Sequence, residues 1–384
     1  MKIPFHRPNT PESLDEIYSD SIRNGWLTTG GIVKNFEEQL KVYFNSKYVI
    51  LLNSCTAGLH LSLLAKGLSK GDEFILPALT FASTIECGEY LGLRPRMIDS
   101  SKESFIFDLN KVEDELKNNT KIKAIIPMHY GGEPVNLDQL KIFSQKYGVF
   151  ILDDAAHALE TKYKNHKIGD TDDASVFSFY ANKNITTGGE GGAVSTNSKE
   201  IADKIKKLSL HGITKDGWNR FKNKGRWEYD ITELGYKYNM TDLSASFGLW
   251  QFKNIDKWQR KRLKIAKKYI DLLRDVKGLE LPELINGHAW HLFVVKIKLN
   301  EWKISRNQII KNLNKLGIGL AVHYKPINML SYYKENYELN QSDFSNVNYL
   351  FSSIISLPIY PLMIDSEVDY IVDSIKYVYE KYSV

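Results

Sequence analysis

Cysteine is nearly absent. The chain of 384 residues holds two, Cys55 and Cys87, and neither sits in a C-x-x-C pair or a Cys/His ligand spacing, so no metal site is expected. Two isolated thiols suit a reducing compartment. No run approaches the ~20 apolar residues of a membrane span, and the opening stretch MKIPFHRPNTPESLDEIY has no apolar core of signal-peptide length. Together these absences point to a soluble cytoplasmic protein with no membrane partner. A strong excess of one charge is missing as well. The net charge is +5, with Lys and Arg scattered among acids, so no nucleic-acid footprint is expected. The small excess can still attract an anionic small molecule. The short basic run from Lys257 to Arg262 reads as a solvated helix face. Internal repeats and low-complexity segments are absent too.

What is present is ordinary globular material, 43% hydrophobic and 25% charged. The length suggests two domains at about 100–200 residues each. Thr10-Pro-Glu-Ser reads as a capped helix start, with Pro at the first helical position. From residue 48 short apolar runs alternate with amphipathic stretches. Seven strands are expected, over 48–53, 74–77, 95–99, 124–129, 149–153, 174–180 and 192–196. Unbroken apolar runs suit a mostly parallel sheet buried on both faces, with helical crossovers between strands. The fold class is therefore α/β. Past Thr241 the pattern changes to one long helix, then a strand over 291–298, a helix over 305–316 and a strand over 319–324. These define a large domain over 1–250, N-terminal segment included, and a smaller C-terminal α/β domain over 251–384.

Ligands of open α/β sheets bind beyond the carboxyl ends of the strands, so the residues there matter most. After the first strand, Asn53-Ser-Cys-Thr-Ala-Gly58 puts small residues and two hydroxyls at a strand-to-helix turn. This is either a phosphate cup or simple capping. Phe81, after the second strand, can stack on a flat ring or fill the core. Asp153-Asp154 end the fifth strand and must point to opposite faces. One can cap a helix while the other reaches a site. His157 follows, either as a contact residue or as a histidine satisfied by the fold. Then comes Lys183, just beyond Ala174-Ser-Val-Phe-Ser-Phe-Tyr180, with glycines behind it that let the backbone pass close to a ligand. A lysine amine can form a Schiff base with an aldehyde cofactor. Pyridoxal 5'-phosphate needs that lysine, a phosphate cup, a carboxylate for its ring nitrogen and an apolar wall for its ring. All four occur at successive strand ends, and Ser178 can add a phosphate donor.

Asn53-Ser-Cys-Thr-Ala-Gly, Pro77-Ala-Leu-Thr-Phe-Ala, Asp153-Asp-Ala-Ala-His-Ala, Ser178-Phe-Tyr-Ala-Asn-Lys-Asn-Ile-Thr and Gly235-Tyr-Lys-Tyr-Asn-Met-Thr-Asp resemble the DegT/DnrJ/EryC1/StrS family of nucleotide-sugar aminotransferases. The resemblance runs from Asn24-Gly-Trp-Leu-Thr-Thr-Gly through His288-Ala-Trp-His-Leu-Phe to Gly319-Leu-Ala-Val-His-Tyr. It looks closest to the branch that aminates C4 of UDP-4-keto-pentoses in lipid A modification. It implies the pyridoxal-phosphate-dependent aspartate-aminotransferase (type I) fold, with Lys183 as the Schiff-base lysine and Asp154 as the partner of the ring nitrogen. It further implies that Thr56, Ala57 and Ser178 hold the cofactor phosphate, that Phe81 stacks on the ring and that His157 lies near the ring hydroxyl. Lys237 or Asn239, on a loop that family members extend into the neighbouring subunit, reaches the phosphate there. Thr29 and His323 line the sugar end. Three departures bear on the sugar: Gly30-Gly31 where Gly-Pro is usual, a Thr187-Gly-Gly-Glu-Gly-Gly loop one residue longer than in close members, and Tyr180 where His is common. Relatives with His in place of the lysine dehydrate the sugar instead, and this chain keeps the lysine.

The expected activity is transfer of the amino group of L-glutamate to the C4 keto group of a UDP- or dTDP-linked 4-keto sugar, releasing 2-oxoglutarate. The setting is surface polysaccharide or lipopolysaccharide synthesis, including O-antigen, and the enzyme is a homodimer with shared sites. Amination at C3 is the near alternative, and a non-catalytic cofactor or nucleotide-sugar binder is a more distant one. An oxidoreductase would carry Gly-x-Gly-x-x-Gly after the first strand, where this chain reads Asn-Ser-Cys-Thr-Ala-Gly.

Overall fold

The structure is a computed structural model that describes residues 1–23, 25–101, 104–213 and 229–384. Asn24, where the resemblance begins, lies outside the described residues. The strands are β1 (Tyr48–Leu52), β2 (Glu73–Pro77), β3 (Arg94–Ile98), β4 (Ile122–Ile125), β5 (Phe150–Asp154), β6 (Lys162–Tyr163), β7 (His166–Lys167), β8 (Ala174–Ser178), β9 (Gly192–Thr196), β10 (Leu279–Glu280), β11 (Phe293–Ile297) and β12 (Ile354–Leu357). Seven of them form one sheet in the order β1-β9-β8-β5-β4-β2-β3. Neighbours from β3 through β8 are parallel, and β9 runs antiparallel to both β8 and β1. A glycine-bearing loop joins β8 to β9 with no crossover helix, and only an antiparallel pair allows that. The sheet is therefore the mostly parallel, seven-stranded one that the apolar rhythm predicts.

Alternation along the strands builds two cores. Ile50, Leu52, Phe74, Leu76, Phe150, Leu152, Val176 and Val194 face the Cys55–Ala65 and Lys199–Leu208 helices. Val49, Leu51, Phe177 and Ala193 face the Gly31–Phe44 helix, and Ile75, Ile125 and Ile151 face the Leu109–Asn118 and Leu137–Tyr147 helices. Burial on both faces is why these strands read as continuous apolar runs. The C-terminal part has a three-stranded sheet, β10-β11-β12, packed against the Ile255–Leu273 and Asp365–Tyr382 helices. That cluster also takes in Ile3, which bridges to Ile318.

Several local expectations are corrected. The first helix is Asp15–Arg23, not one starting at Pro11, and Ser13 Oγ accepts from the Asp15 N–H. The long helix is two, Asp242–Phe252 and Ile255–Leu273. Asn254 between them bonds its side-chain amide to the Trp250 carbonyl at 3.2 Å, a local competitor of the helical ladder. β4 stops at Ile125, two residues before Pro127, which has no N–H for the ladder. Residues 319–324 are not a strand; they make a single bridge, Ala321 to Ser356. The third small-sheet strand is instead β12, which follows the Ser345–Ser353 helix directly, so no turn residue announces it.

Candidate active site

The register of the central strands places the site. Leu52 and Ser178 both pair with Gly192, and Asp154 pairs with Val176. The ends of β1, β5 and β8 thus lie along one sheet edge. A cavity of about 510 Å³ opens there, within the range of roughly 300–1,000 Å³ typical of small-molecule pockets. Its walls include Thr56, Phe81, Asp154, His157, Ser178, Lys183 and His323.

Glycine makes this convergence possible. A Cβ on Gly192 would lie 2.5 Å from the Ser54 carbonyl carbon and 2.6 Å from the Cys55 nitrogen, so only glycine lets β9 pass beneath the strand-to-helix turn. In the loop before β9, Gly188 has φ +90°, which disfavours a side chain. After β8 the chain turns, with the Lys183 N–H donating to the Tyr180 carbonyl at 3.0 Å, and Lys183 points into the cavity. Its Nζ makes no hydrogen bond or ion pair among the described residues. Burial pushes the amine down to about 8, with the neighbouring Cys55 and Asp154 pulling the other way.

Asp154 answers the question of the paired acids. Its Oδ2 accepts from Thr84 Oγ1 at 2.7 Å and its Oδ1 from the Ala156 N–H at 3.1 Å. Burial pushes this carboxyl up, while the two hydrogen bonds, Lys183 and His129 pull it down. Asp153 points to the other face, accepts from Ser175 Oγ at 2.7 Å and lies 3.6 Å from His129 Nε2. Neither acid caps a helix, because residues 155–161 form turns. At the end of β1, Ser54 is the cap: its Oγ accepts from the Ala57 N–H at 3.1 Å. Thr56, in the first helical turn, faces the cavity, whereas Ala57 is buried beneath it.

Phe81 is 56% exposed at the rim, too open for a core residue. His157 is held at both ring nitrogens. Nδ1 accepts from the Gly131 N–H at 3.2 Å, and Nε2 lies 2.9 Å from Tyr324 Oη. His323 shares a 2.9 Å bond with Ser356 Oγ, and burial, helped by Lys183, pushes it down to about 4. Thr29, Lys237 and Asn239 are not among the cavity walls. Thr29 Oγ1 donates to the Met240 carbonyl and accepts from Asn239 Nδ2, each at 2.6 Å, and Lys237 is exposed on the same loop. Four residues given no role above also belong to this region: Thr84, Asn182, His291 and Tyr324. His291 and Tyr324 lie inside the quoted motifs, but no sequence signal marks Thr84, which depends on how the Ser83–Glu89 helix docks.

The family model for DegT/DnrJ/EryC1/StrS aminotransferases matches residues 10–376. The chain belongs to this family. Among curated relatives it is 38% identical to SpsC, a spore coat polysaccharide biosynthesis protein of Bacillus subtilis, over 97% of this chain and 96% of that one. It is 35% identical to the UDP-4-amino-4-deoxy-L-arabinose–oxoglutarate aminotransferase of Shewanella sediminis, over 97% of each. Among solved structures, Spr1654 of Streptococcus pneumoniae, assigned as a sugar aminotransferase and seen in PMP and PLP forms, superposes at TM-scores of 0.91 and 0.89. The PMP form is 32% identical, with 99% of this chain and all of that one covered. The fold of this DegT-family chain is thus the type I aminotransferase fold, and the chain is an enzyme of the sugar-aminotransferase kind.

Proposed function

We propose that this enzyme uses pyridoxal phosphate to move the amino group of L-glutamate to the C4 keto carbon of a nucleotide-diphosphate 4-keto sugar. The observation that carries the reading is Lys183: an amine with no hydrogen bond or ion pair among the described residues, shifted toward its neutral form by burial, facing a cavity that Asp154 also lines. A buried cation without a partner is costly, and a group that consumes the amine removes the cost. The residues fit the cofactor. Thr56 and Ser178 bring hydroxyls to one end of the cavity, beside a helix N-terminus, where a phosphate is favoured. Asp154 matches the ring nitrogen and Phe81 the ring face.

When bound, pyridoxal phosphate supplies an aldehyde that captures amines and a ring that takes up electrons from an adjacent carbanion. The protein does the rest. Lys183 would hold the cofactor, and its Nζ, once freed by the incoming amine, would take the proton from the glutamate Cα and serve as the acid that gives it back. The Asp154 carboxylate would keep the ring nitrogen protonated, and Thr84 and the Ala156 N–H favour its charged form against the effect of burial. Thr56 and Ser178 fix the phosphate, so the reacting carbon stays within reach of Lys183. One water would be consumed in releasing the glutamate skeleton as 2-oxoglutarate, and the retained amine would then pass to the sugar carbon as the keto oxygen leaves as water. His323 lines the cavity and is assigned to the sugar end, as is Thr29 by the family resemblance. Likeness to the Shewanella enzyme supports a UDP sugar and C4, and likeness to SpsC supports polysaccharide synthesis. Cys55 and Cys87 are buried free thiols, which supports a cytoplasmic setting. Lys237 and Asn239 are assigned to the second site of a homodimer.

The deciding experiment is the visible spectrum of the purified protein with pyridoxal phosphate. A band that glutamate bleaches and 2-oxoglutarate restores is expected, and absence of any band refutes the reading. A panel of UDP- and dTDP-linked 3-keto and 4-keto sugars, with the aminated carbon located by NMR, then decides substrate and position.

A further inference from the structure

The directions of the hydrogen bonds around His157 lead further. Its Nδ1 accepts from the Gly131 N–H, so that nitrogen carries a lone pair. A neutral imidazole has one N–H, which must then be on Nε2. The group 2.9 Å from Nε2 is Tyr324 Oη, so His157 donates and the phenol oxygen accepts. Burial first, then the neighbouring Lys183 and His323, pushes His157 well below its ordinary value, so the ring is the neutral form this argument requires. The proton of Tyr324 then has no acceptor among the described residues, although Tyr324 lines the cavity. Its ring is half-buried between Phe81, at 5.7 Å, and His157, at 6.0 Å between centroids. Lys183 from the turn after β8, Asp154 from β5, Cys55 from the Cys55–Ala65 helix, and His291 and His323 surround the pair. A half-buried phenol that faces a cavity, accepts from a fixed histidine and has an unspent proton is built to donate.

We propose that Tyr324 donates its hydroxyl proton to an anionic oxygen of the cofactor bound at Lys183, and that His157 is a positioning residue acting through Tyr324. This rests on the reading of the cavity as a pyridoxal-phosphate site. It differs from direct contact by His157, whose Nε2 proton is already committed. A donor at that oxygen stabilises the anionic chromophore, so removing it makes the bound cofactor harder to deprotonate.

Two measurements test the proposal. In the cofactor-free protein, histidine proton–nitrogen correlation spectra should show His157 neutral, with its proton on Nε2, between about pH 5 and 8. A proton on Nδ1 overturns the hydrogen-bond chain. In the loaded protein, the pH midpoint of the visible band should rise by about one unit or more in Tyr324→Phe, a tenfold change in the proton equilibrium. His157→Ala should shift it part of the way, and should add nothing in the Tyr324→Phe background, since paired residues acting as one unit are non-additive. An unchanged midpoint in Tyr324→Phe, or a full extra shift from His157→Ala in that background, overturns the proposal, as does a change confined to the KM for glutamate. A wild-type protein without any band would instead refute the cofactor reading, while the histidine spectra would still report the chain itself.

Discussion

Lys183 and Asp154 show how much a single residue's chemistry depends on burial. The amine titrates near 8 where a free lysine is about 10.5. The neutral amine is the nucleophile, so the rate at which cofactor-free protein captures pyridoxal phosphate should rise with pH through a midpoint near 8, as stopped-flow absorbance would show. The same shift bears on stability. Between about 8 and 10.5 the unfolded chain holds a proton the folded one has lost, so stability attributable to Lys183 rises with pH across that window. Melting temperatures of cofactor-free wild type should therefore gain on those of Lys183→Met from pH 8 to 10. In turnover, Lys183→Ala should abolish activity, a loss of at least about 10²–10⁴-fold from proton transfer alone. Thr84→Val leaves Asp154 Oδ2 without its hydroxyl donor. A cost of about 1–3 kcal/mol is expected from an unsatisfied buried acceptor, read as a lower melting temperature together with weaker cofactor binding.

At the scale of elements, two glycines make opposite predictions. Gly192 lies beneath the Ser54-Cys55 turn, with backbone 2.5 Å from where a Cβ would go. Gly192→Ala should destabilise by about 1–3 kcal/mol or more, because overpacked backbone has nowhere to move, and should also weaken the cofactor site built on that turn. Gly31 is the first residue of the Gly31–Phe44 helix and has open space around it. The Asp242 carboxylate accepts the N–H groups of Gly30, Ile32 and Val33, and that of Gly31 has no acceptor among the described residues. Pro is suited to such a position. Gly31→Pro should therefore stabilise the protein by about 0.4–1 kcal/mol, visible as a higher midpoint in urea. The missing proline of the Thr-Thr-Gly-Gly segment thus costs rigidity rather than a contact. Thr29, Asn239 and Asp242 tie the same segment to the loop before the Asp242–Phe252 helix.

At the scale of the whole molecule, Lys237 and Asn239 are not among the walls of the cavity that Lys183 faces in their own chain. If they serve a partner's site, Lys183→Ala and Lys237→Ala chains, each inactive alone, should complement on mixing. Random re-pairing of a two-fold dimer leaves about one site in four with both native residues, so about a quarter of wild-type activity should return. No recovery after verified subunit exchange would show that Lys237 acts within its own chain.

The main sheet was legible because its strands are buried on both faces, so their apolar runs need no knowledge of partners; all seven are found within a few residues of where the runs place them. Lys183 and Asp154 were legible for a related reason, since charge at the end of a buried strand needs an explanation before any contact is known. Other features depended on distance in space. The break at Lys253-Asn254 comes from one side chain competing with the helix. β12 exists because a run with no turn before it finds β11 as its neighbour. Thr84 supports Asp154 only because the Ser83–Glu89 helix docks beside β5, and Tyr324 meets His157 across 167 positions of chain. Local sequence sets strand, turn and charge through short-range sterics and burial. Which donor satisfies which acceptor is decided only when the folded chain brings them together, and the hydrogen-bond direction at His157 is of that second kind.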